Sequence, residues 1–279
     1  MTTLPKEKSI KLIKKYDQKM KFLLKVLKNP EEEEIHSEFL IDISNIITTL
    51  GEKSVQYLPQ FFPILLEHLV NFQDRETCIV AINVVGDISR AIPRENFLLY
   101  LKEIMKILFT NLIKLGTSNM EIYAETFACF GDIALVTGKH FETYLSNVMK
   151  ILEASCKIKC DKSDPSSVFL FNHIREHVLD AYTGIIQGFK NDQSGYLFES
   201  YIPHVIKFVQ IAYSDENKNE DIKRAAVGVI GDLGQTFGSK ISKDLQTQSI
   251  RNILNDAMKS TDSSIKKVAV WSKGIVDKL

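Results

Sequence analysis

The sequence predicts an all-α fold of the HEAT-repeat solenoid class, a right-handed superhelix of about six antiparallel helix pairs, because two signatures recur along it. A tyrosine followed by leucine or isoleucine opens four segments that have helical apolar spacing. A glycine recurs in a second apolar helix, about 30 residues after three of these tyrosines. Helix pairs that contact only the next pair stack in this way. We therefore predict a single solenoid domain over residues 1–279.

The first helix of each pair, the A helix, is marked by its opening residues. In the first segment, apolar side chains from Leu58 to Leu69 recur at i, i+3, i+4 and i+7, which places them on one helix face. Pro59 and Pro203 lie in the first turn of their helices, where a missing N–H costs nothing. The predicted A-helix starts are Tyr57-Leu58, Tyr100-Leu101, Tyr144-Leu145 and Tyr201-Ile202.

The second helix of each pair, the B helix, contains the recurrent glycine. Gly86, Gly131 and Gly231 are each followed by an aspartate, and Gly184 occupies the matching place in a fourth unit. A glycine within a helix costs about 1 kcal/mol relative to alanine, so its recurrence needs a cause. Close approach of a neighbouring helix supplies that cause, and we predict that consecutive B helices pack at these glycines.

Three further segments complete the predicted architecture. The unit that contains Gly184 is longer than the others, and the polar stretch around Pro165 predicts an enlarged loop at residues 157–167. Additional helix pairs are expected at residues 11–50 and 245–276. The basic segment 1–30 is expected to contain the first helix, and the acidic run Glu31–Glu34 is typical of the first turn of the next.

Composition and charge exclude several classes of function. The chain has 279 residues, 44% of them hydrophobic, and no apolar stretch approaches the ~18–20 residues that a membrane span requires. No secretory signal is evident, and the four cysteines form no CxxC pair, which favours an intracellular protein with reduced thiols. Nine lysines and two acids in residues 1–30 leave the remainder of this neutral chain net acidic. An acidic body argues against nucleic acid and favours a basic protein partner.

Acidic residues recur at one register of the B helices. Each aspartate that follows a glycine has another acid 11 residues before it, about three turns away on the same helix face. Stacked helices would align these pairs as rows on one wall, where a basic partner could bind. Two structural explanations remain open: the first acids can complement the helix dipole, and the second can bond the neighbouring repeat. The candidates are Glu76 with Asp87, Glu121 with Asp132, Asp221 with Asp232, and Glu125.

One motif is typical of metal chemistry. His173 and His177, with Glu176 between them, match H-x-x-E-H and would place two imidazoles one turn apart on a helix. A zinc site needs a third ligand, and no nearby residue is an evident candidate. We therefore expect neither a metal, a cofactor nor a catalytic residue in this chain, and a hydrolase is the least favoured function.

Several of these motifs resemble the C-terminal region of the importin-beta family. They are DKSD at 161–164, IREHVLDAYTGIIQG at 174–188, FGDIAL at 130–135, IGDL at 230–233 and AVW at 269–271. The resemblance runs from about Tyr57 to the end of the chain. It implies a nuclear transport receptor that binds the basic importin-beta-binding helix of importin-alpha, or another basic cargo, through acids and a tryptophan. Trp271, Glu176 and Asp180 match those positions, and Trp271 would stack on a cargo cation.

The resemblance has further implications for partners and location. It implies residence in cytoplasm and nucleus and at the nuclear pore, and weak binding of FG nucleoporins between adjacent A helices at positions that the sequence does not locate. The family's N-terminal repeats, which grip the GTPase Ran, have no counterpart here, so Ran contact is expected to be partial or absent. A HEAT-repeat scaffold for a multiprotein complex, without a transport role, is the alternative.

Overall fold

The computed structural model describes residues 6–28, 36–116, 119–158 and 160–279, and within these ranges it contains helices and no strands. The acidic run Glu31–Glu34 lies outside the described residues. Short 3-10 helices precede α3, α7, α9 and α11. The helices are α1 (Lys6–Val26), α2 (His36–Leu50), α3 (Leu58–Val70), α4 (Arg75–Ala91), α5 (Arg94–Leu115), α6 (Met120–Thr137), α7 (Glu142–Ser155), α8 (Pro165–Asn191), α9 (Ile202–Ser214), α10 (Glu220–Phe237), α11 (Ser242–Leu245), α12 (Gln248–Ala257) and α13 (Ser263–Val276).

The helices form two compact units, Met1–Ser118 and Asn119–Leu279. In the first unit, α2 packs on α4, and α3 packs on both α4 and α5. In the second, the B helices α6, α8, α10 and α13 pack in succession, while the A helices α9 and α12 cover α10 and α13. These stacked helix pairs confirm the predicted solenoid class. No helix in the described ranges is long and apolar enough to cross a membrane.

Each B helix from α4 onward, that is α4, α6, α8, α10 and α13, begins at an Asp or Asn cap. The side chain of the cap accepts a hydrogen bond from a backbone N–H in the first turn, which satisfies a donor that the helix itself cannot. In α4, α6 and α10 the cap lies 12 residues before the recurrent glycine. The caps are Asp74, Asn119, Asp164, Asn219 and Asp262.

The longer fourth unit is enlarged both in its connection and in its B helix: nine residues separate α7 from α8, against four between α3 and α4, but the predicted loop at 157–167 extends too far, because residues 165–167 are helical. The connection ends at Asp164, whose side chain accepts from the N–H groups of Ser166 and Ser167, and α8 begins at Pro165. From Asp164 to Gly184 is 20 residues, compared with 12 in the other units. Most of the insertion therefore adds about two turns to the N-terminal end of α8.

The A-helix starts follow the tyrosine signature with one exception. Helices α3 and α9 begin directly after Tyr57 and Tyr201, and α7 begins two residues before Tyr144. Helix α5 instead begins at Arg94, so the predicted start at Tyr100 is wrong. Pro93 is the N-cap of α5, and no 3-10 turn that opens on glycine precedes this helix as it does the others.

The predicted packing at the recurrent glycines is present in the second unit. A Cβ atom at Gly131 would lie 2.9 Å from the Cα of Ala181, and a Cβ atom at Gly184 would overlap the backbone of Gly131. One turn further, a Cβ atom at Gly188 would overlap the carbonyl group of Ala134. The backbones of α6 and α8 therefore touch, and only glycine permits this approach.

Candidate partner-binding surface

The ten sequence-predicted binding residues all lie on B helices, but they are divided between the two units. Glu76 and Asp87 lie on α4 in the first unit. The other eight lie in the second unit, on α6, α8, α10 and α13. The second unit therefore contains most of the candidate surface. Its candidates are Glu121, Glu125, Asp132, Glu176, Asp180, Asp221, Asp232 and Trp271.

Two of the aspartates that follow a glycine bond the preceding B helix. Ser44 Oγ on α2 donates to Asp87 at 2.8 Å, and Gln187 Nε2 on α8 donates to Asp232 at 3.0 Å. Asp232 is only 6% exposed, and burial raises the pKa of its carboxyl group although the hydrogen bond from Gln187 opposes the rise. These contacts favour the neighbouring-repeat explanation for Asp87 and Asp232, and Asp232 offers little surface to a partner.

The acids near the start of the B helices are more accessible. Glu76 is exposed in the first turn of α4. Asp221, in the first turn of α10, forms an ion pair with Arg224 at 2.6 Å, and its side chain is 46% exposed. Their positions agree with the helix-dipole explanation, which requires no partner. Glu121 is half-buried in the first turn of α6, and it lines a groove with Phe169 and Leu170 of the extended α8.

Glu176 on α8 is crowded by like charges. Burial raises the pKa of its carboxyl group, and the carboxylates of Asp221 and Asp180 raise it further, while His177 and His173 oppose the rise. Within the ranges that the structure describes, Glu176 makes no hydrogen bond or ion pair. Glu176, Asp180 and Asp221, which we call the acidic triad, therefore bring three carboxylates to adjacent turns of α8 and α10, and of these Asp180 pairs with His177 and Asp221 with Arg224.

Glu125 on α6 has partners that the sequence did not reveal. His173 Nε2 lies 3.1 Å and His177 Nε2 lies 3.8 Å from Glu125 Oε1. Burial alone would raise the pKa of Glu125, but hydrogen bonds from the two histidines lower it to about 2. Burial opposes the charged form of His177, but hydrogen bonds with Asp180 and Glu125 raise its pKa to about 9. The sequence-based statement that no third ligand lies near these histidines is therefore wrong.

The register of the glycines is the signal that would have located this cluster. Because Gly131 packs on Gly184, residues at similar offsets before the two glycines are neighbours on parallel helices. Glu125 lies six residues before Gly131, and His177 lies seven residues before Gly184. Counting from the glycines therefore predicts the contact, whereas the search for a third ligand along α8 alone does not.

Trp271 on α13 is partly packed and partly accessible. Its ring packs against Gly231 of α10, in the space that a larger side chain would occupy, and 40% of the residue remains exposed. The adjacent Ser272 donates to the carbonyl oxygen of Val227 at 2.7 Å, which fixes the orientation of α13 on α10. An aromatic ring held in this way loses little entropy when a partner stacks on its open face.

Comparison of the sequence with protein families and with curated proteins identifies importin subunit beta-1 as a relative along nearly the whole chain. The family model described as importin subunit beta-1-like, TPR repeats, matches residues 5–258, so the likeness includes the N-terminal segment. Importin subunit beta-1 of Arabidopsis thaliana is 33% identical over 244 residues, which are 85% of this chain and 28% of that protein. The chain therefore spans less than a third of the length of this curated relative.

Solved structures have the same arrangement of helices. A crystal structure of importin beta from an ammonium sulfate condition superposes with a TM-score of 0.91 at 24% identity, covering 96% of this chain and 31% of that one. A Kap95:Nup1 complex matches with a TM-score of 0.86 at 24% identity, covering 97% of this chain and 31% of that one. At this identity the structures confirm the solenoid fold.

Proposed function

Because this chain belongs to the importin-beta family of nuclear transport receptors, we propose that it binds a basic adaptor or cargo segment for protein import into the nucleus. The proposed ligand is a basic helix of the kind found in the importin-beta-binding segment of importin-alpha. It would lie on the B helices of the Asn119–Leu279 unit, in a protein that moves between cytoplasm and nucleus. The role is binding and not catalysis, and reduced or absent contact with Ran stays a prediction.

The acidic triad is the observation that carries this proposal. Three carboxylates lie close enough that two of them raise the pKa of the third, Glu176, which forms no ion pair in the described part of the chain and is only partly compensated by His173 and His177. Like charges held together in this way cost free energy that a lysine or arginine from a partner would recover. A basic helix that crosses α8 and α10 would supply such a cation.

Trp271 supports the same ligand. Its open face lies on α13, the B helix that packs next to α10, so that one extended segment could contact the acidic triad and then the indole ring. Arg and Lys side chains stack favourably on tryptophan, and partly desolvated tryptophans are frequent anchors at interfaces.

Titration of a fluorescent importin-beta-binding peptide into the full chain tests this proposal by anisotropy. We expect binding that weakens about tenfold or more between low and high salt, because carboxylate contacts are screened. The double variant Glu176→Gln/Asp221→Asn and the single variant Trp271→Ala are each expected to weaken binding about tenfold.

The matched control removes the same charge from another surface. Glu142 on the A helix α7 and Asp244 on α11 are exposed acids of the same unit, and Glu142→Gln/Asp244→Asn should leave the affinity within about twofold. Equal losses in the two double variants would show a general charge effect and no acidic-triad site. No binding at low salt would contradict the proposal and favour the scaffold alternative.

A groove between two A helices supports a second, weaker partner, an FG nucleoporin segment. The groove lies between α7 and α9 and has a volume of about 200 Å³. Phe208 and Ile211 give it an apolar wall, and Ile211 is 48% exposed. A phenylalanine side chain could bury its ring there against these residues.

Replacement of Ile211 by aspartate should abolish measurable binding of an FG-repeat peptide, because a charge at the groove must be desolvated when the ring enters. Transferred nuclear Overhauser effects on the peptide phenylalanine rings measure this binding by NMR. Val270→Asp on α13 is the control, since Val270 is an equally exposed apolar residue away from the groove. Unchanged signals with Ile211→Asp would exclude this groove.

A further inference from the structure

The structure assigns a divalent transition-metal site, best suited to Zn²⁺, to Glu125 of α6 together with His173 and His177 of α8. Two imidazole nitrogens and one carboxylate oxygen converge from two helices, and these three atoms all lie within 4.8 Å of one another. Two histidines and a carboxylate are a ligand set that zinc accepts, with water completing the coordination. The bound ion would bridge α6 and α8 beside their glycine contact.

The distances between the donor atoms fit a tetrahedral ion. Zinc bonds to nitrogen and oxygen are about 2.0–2.1 Å long, so neighbouring ligand atoms lie about 3.3 Å apart on the edges of the tetrahedron. The distances from Glu125 Oε1 to the Nε2 atoms of His173 and His177 are 3.1 Å and 3.8 Å. Small rotations of the imidazole rings, whose centroids are 4.3 Å apart, would bring the donors to that spacing.

The surroundings of His177 orient it as a metal ligand. Its Nδ1 atom lies 3.2 Å from Asp180 Oδ2, so Nδ1 carries the proton that the carboxylate accepts. The buried Nε2 atom faces Glu125 Oε1 at 3.8 Å, and a zinc ion placed between the two would displace the Nε2 proton and take up its lone pair. A carboxylate on the second ring nitrogen is the usual support of a zinc-bound histidine.

The site is partly enclosed but remains open on one side. The side chains of His173, His177 and Glu125 are 27%, 17% and 16% exposed. The ring of Phe169, in the two added turns of α8, lies parallel to the ring of His173, with the ring centres 6.3 Å apart. An ion could therefore enter from solvent and retain a water ligand, while the protein ligands stay fixed by packing.

A metal-free cluster of charged imidazoles and carboxylates is the competing interpretation. In that arrangement protons supply the positive charge between Glu125 and Asp180, and added zinc would bind only weakly. The two interpretations predict different zinc stoichiometries and different absorption spectra after Co²⁺ is added. Occupation by a metal would also withdraw Glu125 from the surface that a basic helix contacts.

Calorimetric titration of ZnCl₂ into the chelator-treated full chain tests the site. We expect one equivalent to bind with micromolar or tighter affinity and to raise the melting temperature. His173→Gln and His177→Gln should each weaken binding by more than about 100-fold, and Asp180→Asn by about 10–100-fold. Co²⁺ should give tetrahedral d–d absorption without a thiolate charge-transfer band, which excludes the cysteines as ligands.

His140→Gln serves as the matched control, because His140 is an exposed histidine in the same unit, and zinc binding should be unchanged in it. Circular dichroism and the zinc-free melting temperature of each variant will separate loss of a ligand from loss of the fold. The assignment is overturned if the wild type takes up less than one equivalent, or if His173→Gln and His177→Gln retain stoichiometric binding.

Discussion

The Gly184→Ala variant is expected to lose about 1–3 kcal/mol of unfolding free energy in the Asn119–Leu279 unit. A methyl group at this position would overlap the backbone of Gly131, and a helix backbone cannot move aside as a flexible side chain can. Helices α6 and α8 must then separate along their whole contact, which loses packing on both. The gain of about 1 kcal/mol in helix propensity offsets only part of this cost.

The control for this prediction is Gly228→Ala. Gly228 is also within a B helix, α10, but a Cβ atom there would meet only Val268 Cγ1, at 3.9 Å. That variant should therefore gain up to about 1 kcal/mol from propensity alone. Urea unfolding followed by the fluorescence of Trp271, which lies in the same unit, measures both. Equal effects of the two substitutions would contradict the role assigned to the glycine contact.

Loss of the Arg175 side chain is expected to cost about 3 kcal/mol, because the largely buried carboxylate of Asp215 then keeps only Lys162, an exposed cation 3.7 Å away. Arg175 Nη1 lies 3.0 Å from Asp215 Oδ2, and both side chains are 10% exposed. The guanidinium also lies 4.0 Å from the centre of the Phe171 ring. This ion pair attaches the loop between α9 and α10 to the N-terminal part of α8.

The pH dependence of Arg175→Ala provides a second readout. Burial raises the pKa of Asp215, but the N–H of Asn217 and the Arg175 guanidinium lower it on balance below its ordinary value of 3.8. A lowered carboxyl pKa adds stability above pH 3.8 that is lost as the pH falls through the folded-state value. The difference between wild type and Arg175→Ala should therefore shrink in acid.

Arg224→Ala is the matched control for Arg175→Ala. Arg224 forms an ion pair with Asp221 at 2.6 Å, but the two side chains are 43% and 46% exposed. Exposed pairs contribute about 0–1 kcal/mol, so this variant should change the unfolding free energy little. If both substitutions cost the same, burial of the Arg175 pair is not the source of its stability.

The repeat pattern was predictable because each of its signals is local. Apolar spacing and the recurrent glycine depend on residues within one helix or on one contact repeated along the chain. The predicted loop extended too far into α8 for a specific reason. Asp164, Pro165 and two serines look like a loop by composition, yet an aspartate followed by proline is also a favourable helix start.

The candidate surface was less predictable because its partners come from different helices. The hydrogen bond that Gln187 donates to Asp232 and the contact of Glu125 with His173 join residues 45 and 48 positions apart. No pattern within one helix distinguishes an acid that faces solvent from one that faces the preceding repeat. The acidic register places carboxylates on successive B helices, and burial decides which of them are accessible to a partner.

The glycine contacts also determine where the second unit can bend. The main chains of α6 and α8 touch, and no side chains lie between them at this point. We therefore expect the interface between these two helices to be rigid. At α10 and α13 the space at Gly231 is filled by the side chains of Trp271 and Ser272, so side chains and not main chains are in contact there. We therefore expect bending of this unit to concentrate at the interface between α10 and α13. Trp271 would then be both a partner-contact residue and part of the hinge.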